Sequence, residues 1–132
     1  MEGKPGRSEN FQRDSIRGKV LIPANVLPFE NATAHVRLEE ISAEDDKGAD
    51  VRAEVTIPLI SHQRGAETLV DFAINIGEDS FEFNPKNDYA VRVWIDYNSD
   101  GQRGPGDCYS DERHSVLMDG PAGPLLIKVV QR

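Results

Sequence analysis

The chain has 132 residues, 38% hydrophobic and 29% charged, which is enough for one globular domain with a buried core. Its formal net charge of -8 repels phosphate backbones and anionic lipid, so nucleic acid is not an expected partner. No apolar run approaches the roughly 18 residues of a membrane span. The single cysteine, Cys108, excludes an internal disulfide.

The first 15 residues are polar and contain one aromatic side chain, Phe11. They cannot bury enough apolar surface to offset the cost of ordering, so we predict a disordered tail at 1–15 and a single domain at 16–132. This segment has no apolar region of the kind found in secretory signals. If residue 1 is the native start, the expected compartment is therefore the cytoplasm.

Beyond the tail, apolar and polar residues alternate, which is typical of half-buried strands. The pattern predicts strands at 19–22, 33–40, 51–57, 68–75, 89–96 and 125–130, and a shorter one near 114–118. Turn residues separate them, at 77–80, 84–88 and 119–124, and proline and glycine are expected in connections. One polar segment at 42–50 has the signature of a single helical turn.

Seven or so strands without a long helix predict an all-β fold, a two-layer antiparallel β-sandwich of the immunoglobulin or transthyretin type. Alternation assigns one residue set to the interior. The residues expected to be largely buried are Val36, Leu38, Val55, Phe72, Val91, Val93 and Ile127. Trp94 falls on the opposite face from Val93, where it either covers the edge of the sandwich or faces a ligand.

The order of these motifs resembles the YbaY/YscW-like family across roughly residues 17–130. The matching positions are Gly18 and Val20, Leu27 and Pro28, Ala34, Val36 and Leu38, Ser42 and Asp45, and Tyr89, Val91 and Ile95. The resemblance implies a small β-sandwich lipoprotein of the periplasm or cell envelope, some members of which are pilotins for secretin assembly. It further implies a non-enzymatic binding or assembly module with a protein partner, and we expect a monomer.

The stretch from Asp96 to Glu112 carries five carboxylates and one arginine, Arg103. Oxygen-bearing side chains fall at alternate positions of a 12-residue loop with glycine at its sixth position, a spacing that suits calcium. The predicted ligands are Asp96, Asn98, Asp100, Gln102 (through its carbonyl) and Asp107. The alternative function is thus a calcium-responsive domain whose loop at 96–107 binds Ca²⁺ for stability or recognition.

The same residue types also form metal-free turns, so a plain hairpin connection remains open. No nucleophile elbow, phosphate-binding glycine loop or clustered zinc motif is present, and we predict that the protein is not an enzyme and has no certain cofactor. The three histidines are isolated in sequence and are expected at the surface. Carboxylates around Cys108 disfavour a thiolate, which predicts a packing role for this side chain.

Overall fold

The fold is all-β. The computed structural model describes residues 15–42, 49–76, 84, 86–111, 114–116 and 124–131, and within these ranges it contains strands and no helix. The strands are β1 (Ser15–Ile22), β2 (Phe29–Ile41), β3 (Ala49–His62), β4 (Thr68–Asn75), β5 (Asp88–Asp96), β6 (Cys108–Ser110), β7 (His114–Ser115) and β8 (Leu125–Gln131).

The strands form one continuous path, in the order β3-β2-β5-β6-β8-β1-β4, with β7 paired to β5 outside it. The link between its two halves is β8, which pairs with β1 through residues 125–128 and with β6 through residues 129–131. The all-β class is confirmed. The two predicted layers, however, are parts of a single wrapped and nearly closed sheet, and β1 and β8 run parallel, not antiparallel.

The core follows the predicted alternation. Six of the seven residues expected inside are buried: Val36, Leu38, Phe72, Val91, Val93 and Ile127. Val55 is only partly buried, because β3 pairs on one side alone, with β2, and lies at the end of the path. Burial of apolar surface on this scale is the main stabilising term of such a domain.

Strand β3 continues past its predicted end at residue 57. Its register with β2 shifts between Ile57 and Ile60, and Leu59 in this bulge adopts a φ of 62° with its side chain exposed. Pro58 therefore lies inside a strand, contrary to the expectation that proline falls in connections. The exception is physical: a proline can occupy a strand at a sheet edge or a bulge because it has no N–H for the ladder.

His62 connects β3 with β4, the two end strands of the nearly closed sheet. It is 2% exposed, which corrects the expectation that all histidines lie at the surface. Its Nε2 lies 3.2 Å from the carbonyl oxygen of Val26, and its Nδ1 lies 2.8 Å from the hydroxyl of Thr68 in β4. Because a carbonyl oxygen can only accept, Nε2–H donates to Val26, while Nδ1 pairs with a hydroxyl that can donate or accept. The end of β3 is thereby tied to β4 and to the β1–β2 connection.

Several predictions fall on residues outside the described ranges. The disordered tail is one, since residues 1–14 are not described, although Ser15 already belongs to β1. The helical turn at 42–50 is another, since 43–48 are not described. The single-domain boundaries at 16–132 stay a prediction.

Gly18 allows β1 to pack closely against its neighbours. A Cβ placed there would lie 2.5 Å from the carbonyl oxygen of Leu125 and 2.8 Å from Cζ of Phe72. We therefore expect Gly18→Ala to lower the free energy of unfolding by about 1–3 kcal/mol, the usual cost of overpacking. Urea unfolding measures this loss of stability. Gly104→Ala is the control, because no atom lies within 4 Å of a Cβ at Gly104; equal stabilities of the two variants would contradict the packing described here.

Glu40 is the basis of a predicted pH dependence. Burial raises the pKa of this carboxyl. Hydrogen bonds from Asn87, Arg52 and Tyr89 together lower it by more than burial raises it, so its pKa lies below the ordinary value. A lowered pKa contributes stability that is present above the unfolded value of about 4.3 and lost as the pH falls through the folded value. We expect Glu40→Gln to flatten the acid side of the stability profile in urea titrations. An unchanged acid slope would contradict this role.

Candidate functional site

The acidic loop connects β5 to β6 and folds back over the outer face of the sheet. It begins with a turn in which the amide of Ser99 donates to the carbonyl oxygen of Asp96, at 3.2 Å. Ser99, Gly101 and Gly106 have positive φ angles of 56°, 78° and 93°, a conformation that glycine adopts without strain. The loop ends at the short strand β6, which alternation did not predict because it is three residues long.

Asp107 holds the loop against the sheet. It is 1% exposed. Its Oδ2 accepts hydrogen bonds from Nε1 of Trp94 at 2.9 Å and from the amide of Gly104 at 3.1 Å, and its Oδ1 accepts from the amide of Tyr97 at 3.1 Å. A carboxylate with several such donors is well satisfied without an ion. Its main role in the structure is to link β5, the loop and the indole ring.

Asp96 is buried at the base of the same loop and is 1% exposed. Its Oδ2 accepts from the amide of Gly101 at 2.6 Å. Its Oδ1 is a buried oxygen without a hydrogen-bond partner. A buried acceptor of this kind costs free energy unless a proton, a water molecule or a cation satisfies it.

The other predicted ligands lie on the exposed side of the loop. Oδ1 of Asn98 accepts from the amide of Asp100 at 3.4 Å, and Oδ1 of Asp100 accepts from the amide of Gln102 at 2.9 Å, as in Asx-turns. The loop thus brings Asp96 and Asp107 to its base and leaves Asn98, Asp100 and Gln102 in solvent. Across the described residues, no three His, Cys, Asp or Glu side chains are grouped to hold a metal ion. Calcium binding stays a prediction.

Arg103, the one arginine of the loop, lies over two aromatic rings. Its Cζ is 5.1 Å from the ring centroid of Trp94 and 5.7 Å from that of Tyr109, both within cation–π range. His35 on β2 is stacked against the same indole at 4.5 Å, nearly parallel. Trp94 is therefore on the outer face, as alternation predicted, and is buried by its neighbours there.

Two further arginines flank this ring system. Arg37 on β2 and Arg92 on β5 are direct cross-strand partners. Nε of Arg37 lies 3.1 Å from Glu54, and Nε of Arg92 lies 3.2 Å from Glu39. With Arg103 they border a small pocket that Trp94, Tyr109 and Glu39 also line. We call this set, Arg37, Arg92 and Arg103 over Trp94 and Tyr109, the arginine pocket.

Sequence reasoning did not find the arginine pocket. Arg37, Arg92 and Arg103 lie on three different segments, and ordinary strand alternation explains the exposure of the first two. The signal that would have found them is the register of β2 with β5, which puts two like charges opposite each other. Cys108, by contrast, packs as predicted: it is fully buried, and burial together with Asp107 raises the pKa of its thiol to about 11.

Comparison with known proteins identifies the fold. The chain is similar to a solved structure described as an alternative pilotin from the type II secretion system of Vibrio cholerae, with a TM-score of 0.61 and 22% sequence identity over 89% of this chain and 97% of that one. At this identity the likeness shows a shared fold. No family model and no curated protein matches the chain. None of the described residues belongs to a helix long and apolar enough to cross a membrane.

Proposed function

We propose that this protein is a non-enzymatic binding and assembly module of the cell envelope, a pilotin-like accessory factor that binds a protein component of a secretion machinery. The observation that carries the proposal is the fold shared with a type II secretion pilotin over 97% of that chain. The order of the sequence motifs, which resembles that of YbaY/YscW-like proteins, is in line with the proposal, and no family model matches the chain.

The chemistry of the arginine pocket supports a binding role. Arginine, tryptophan and tyrosine are the residue types enriched at the centres of protein interfaces. Here they are held in place before any partner arrives, since Asp107 fixes the indole and the loop places Arg103 above it. Preorganisation of this kind reduces the entropy lost on binding.

Deletion of the gene tests the proposal in cells of the source organism. We expect that secretin subunits assemble into fewer multimers at the outer membrane without this protein, and that plasmid-borne wild type restores them. The readout is the fraction of secretin that migrates as a multimer on gels. Normal secretin multimers in the deletion strain, with every other pilotin gene also removed, would refute the proposal.

A second candidate function, a calcium-responsive loop, is favoured by one observation, the buried and unpartnered Oδ1 of Asp96. Because Asp107 already accepts three hydrogen bonds, an ion would have to displace some of them, and we expect a dissociation constant of roughly 10⁻⁴ M or poorer. On this reading millimolar Ca²⁺ raises the melting temperature by mass action, and Asp100→Ala abolishes the rise. If calcium changes the melting temperature of neither the wild type nor Asp100→Ala, the loop is a connection that folds without an ion.

A further inference from the structure

Three arginines border the arginine pocket on a chain whose net charge is -8, and one carboxylate, that of Glu39, also lines it. Arg37 and Arg92 stand opposite each other on neighbouring strands, where like charges destabilise a sheet. Each has one carboxylate partner at its Nε atom, Glu54 for Arg37 and Glu39 for Arg92. Arg103 has no carboxylate partner in the described part of the chain, and its guanidinium lies over the rings of Trp94 and Tyr109. Such an arrangement is suited to an anionic group that bridges the arginines.

We propose that the arginine pocket binds the side-chain carboxylates of an acidic peptide segment in the protein partner, an inference that rests on the proposed binding function. The planar guanidinium forms paired hydrogen bonds with a carboxylate, and this geometry gives arginine its advantage over lysine at such sites. The aromatic floor excludes water from one side of the guanidinium of Arg103 and thereby strengthens its pairing with an anion.

The charge distribution favours a peptide over a membrane. An anionic bilayer presents a broad negative plane, which a chain of net charge -8 meets with general repulsion. A peptide brings a few carboxylates into the pocket alone, where the pairing is short-range and the surrounding acidic surface contributes little at physiological ionic strength. The pocket is also small, bordered by Arg37, Arg92 and Arg103, and so matches one or two side chains.

The position of Trp94 makes the test specific to this pocket, because it is the only tryptophan in the chain. Hexaglutamate peptide is titrated against the full chain while the tryptophan emission is recorded, and hexaglutamine serves as the uncharged probe. We expect a saturable change with hexaglutamate, weakened by added salt, and none with hexaglutamine. Arg103→Gln is expected to weaken the apparent affinity about tenfold or more.

Arg64→Gln is the matched control, since Arg64 is exposed in the β3–β4 turn and does not line the pocket. It removes the same charge from the chain and is expected to bind hexaglutamate like the wild type. Equal losses in the two variants would mean that binding is nonspecific. No saturable response to hexaglutamate would overturn the proposal. So would a response to phosphatidylglycerol vesicles alone, which would assign the pocket to lipid.

The outcomes for this pocket and for the secretin role can be separated. If peptide binding depends on Arg103 but secretin assembles normally in the deletion strain, the pocket is supported as a peptide-binding site and the pilotin-like function is refuted. If secretin assembly fails in the deletion strain and the Arg103→Gln variant restores it fully, the pilotin-like function is supported and the pocket is refuted as its binding site. Thermal melting of each variant confirms beforehand that the exposed substitution leaves the fold intact.

Discussion

Replacement of Phe72 by alanine is expected to lower the free energy of unfolding by about 3–5 kcal/mol, the range for removing a buried aromatic ring. Phe72 lies on β4 and is 5% exposed. Its ring reaches across to the space above Gly18, where β1 has no side chain. Neither strand can fill the resulting cavity without a backbone shift, because β1 is held by hydrogen bonds on both sides.

Leu69→Ala provides the control for Phe72→Ala in the same strand. Leu69 is 56% exposed on the outer face, and its truncation is expected to cost about 0.5 kcal/mol or less. Urea denaturation at neutral pH measures both variants. A Phe72→Ala loss no larger than that of Leu69→Ala would show that the face of β4 has been assigned incorrectly.

Replacement of Asp107 by alanine is expected to cost about 2–3 kcal/mol and to release the loop. The substitution leaves the Nε1–H group of Trp94 buried without an acceptor, which carries the full desolvation penalty of that group. The amides of Tyr97 and Gly104 are closer to solvent and can bond to water instead. As Arg103 moves away from the indole, the tryptophan emission should shift toward that of a solvated ring.

The control for Asp107→Ala is Asp100→Ala in the same loop. Asp100 is exposed and accepts one amide hydrogen bond, so its removal should change stability by no more than about 0.5–1 kcal/mol and leave the emission of Trp94 unchanged. If the two variants behave alike, the loop is not held through Asp107.

Much of the fold could be predicted because period-two alternation directly records which face of a strand is buried. On that ground alone, alternation places Val36, Leu38, Val91 and Ile127 inside. Alternation carries no information about which strands are neighbours. The strand β8 was expected at 125–130, but its pairing with β1 and β6 in turn, which makes one sheet of the two expected layers, was not. Alternation also missed β6, since three residues are too few to show a period.

The acidic loop was identified, but its geometry was not. Carboxylates at alternate positions are suitable both for a cation and for backbone amides, and only the folded path shows which donors are near. The carboxylate of Asp107 accepts hydrogen bonds from three N–H groups, whereas Oδ1 of Asp96 accepts none. The arginine pocket depends on pairing between residues more than 50 positions apart, such as Arg37 with Arg92. No local pattern predicts such a pair.

The direct test of the central claim, that this is a protein-binding module, is calorimetric titration of the purified chain with the secretin subunit from the same genome. We predict saturable one-to-one binding for the wild type and an affinity reduced about tenfold or more for Arg103→Gln, with Arg64→Gln unchanged. Absence of binding heat over a range of temperatures, together with no co-elution of the two proteins in size-exclusion chromatography, would contradict the claim.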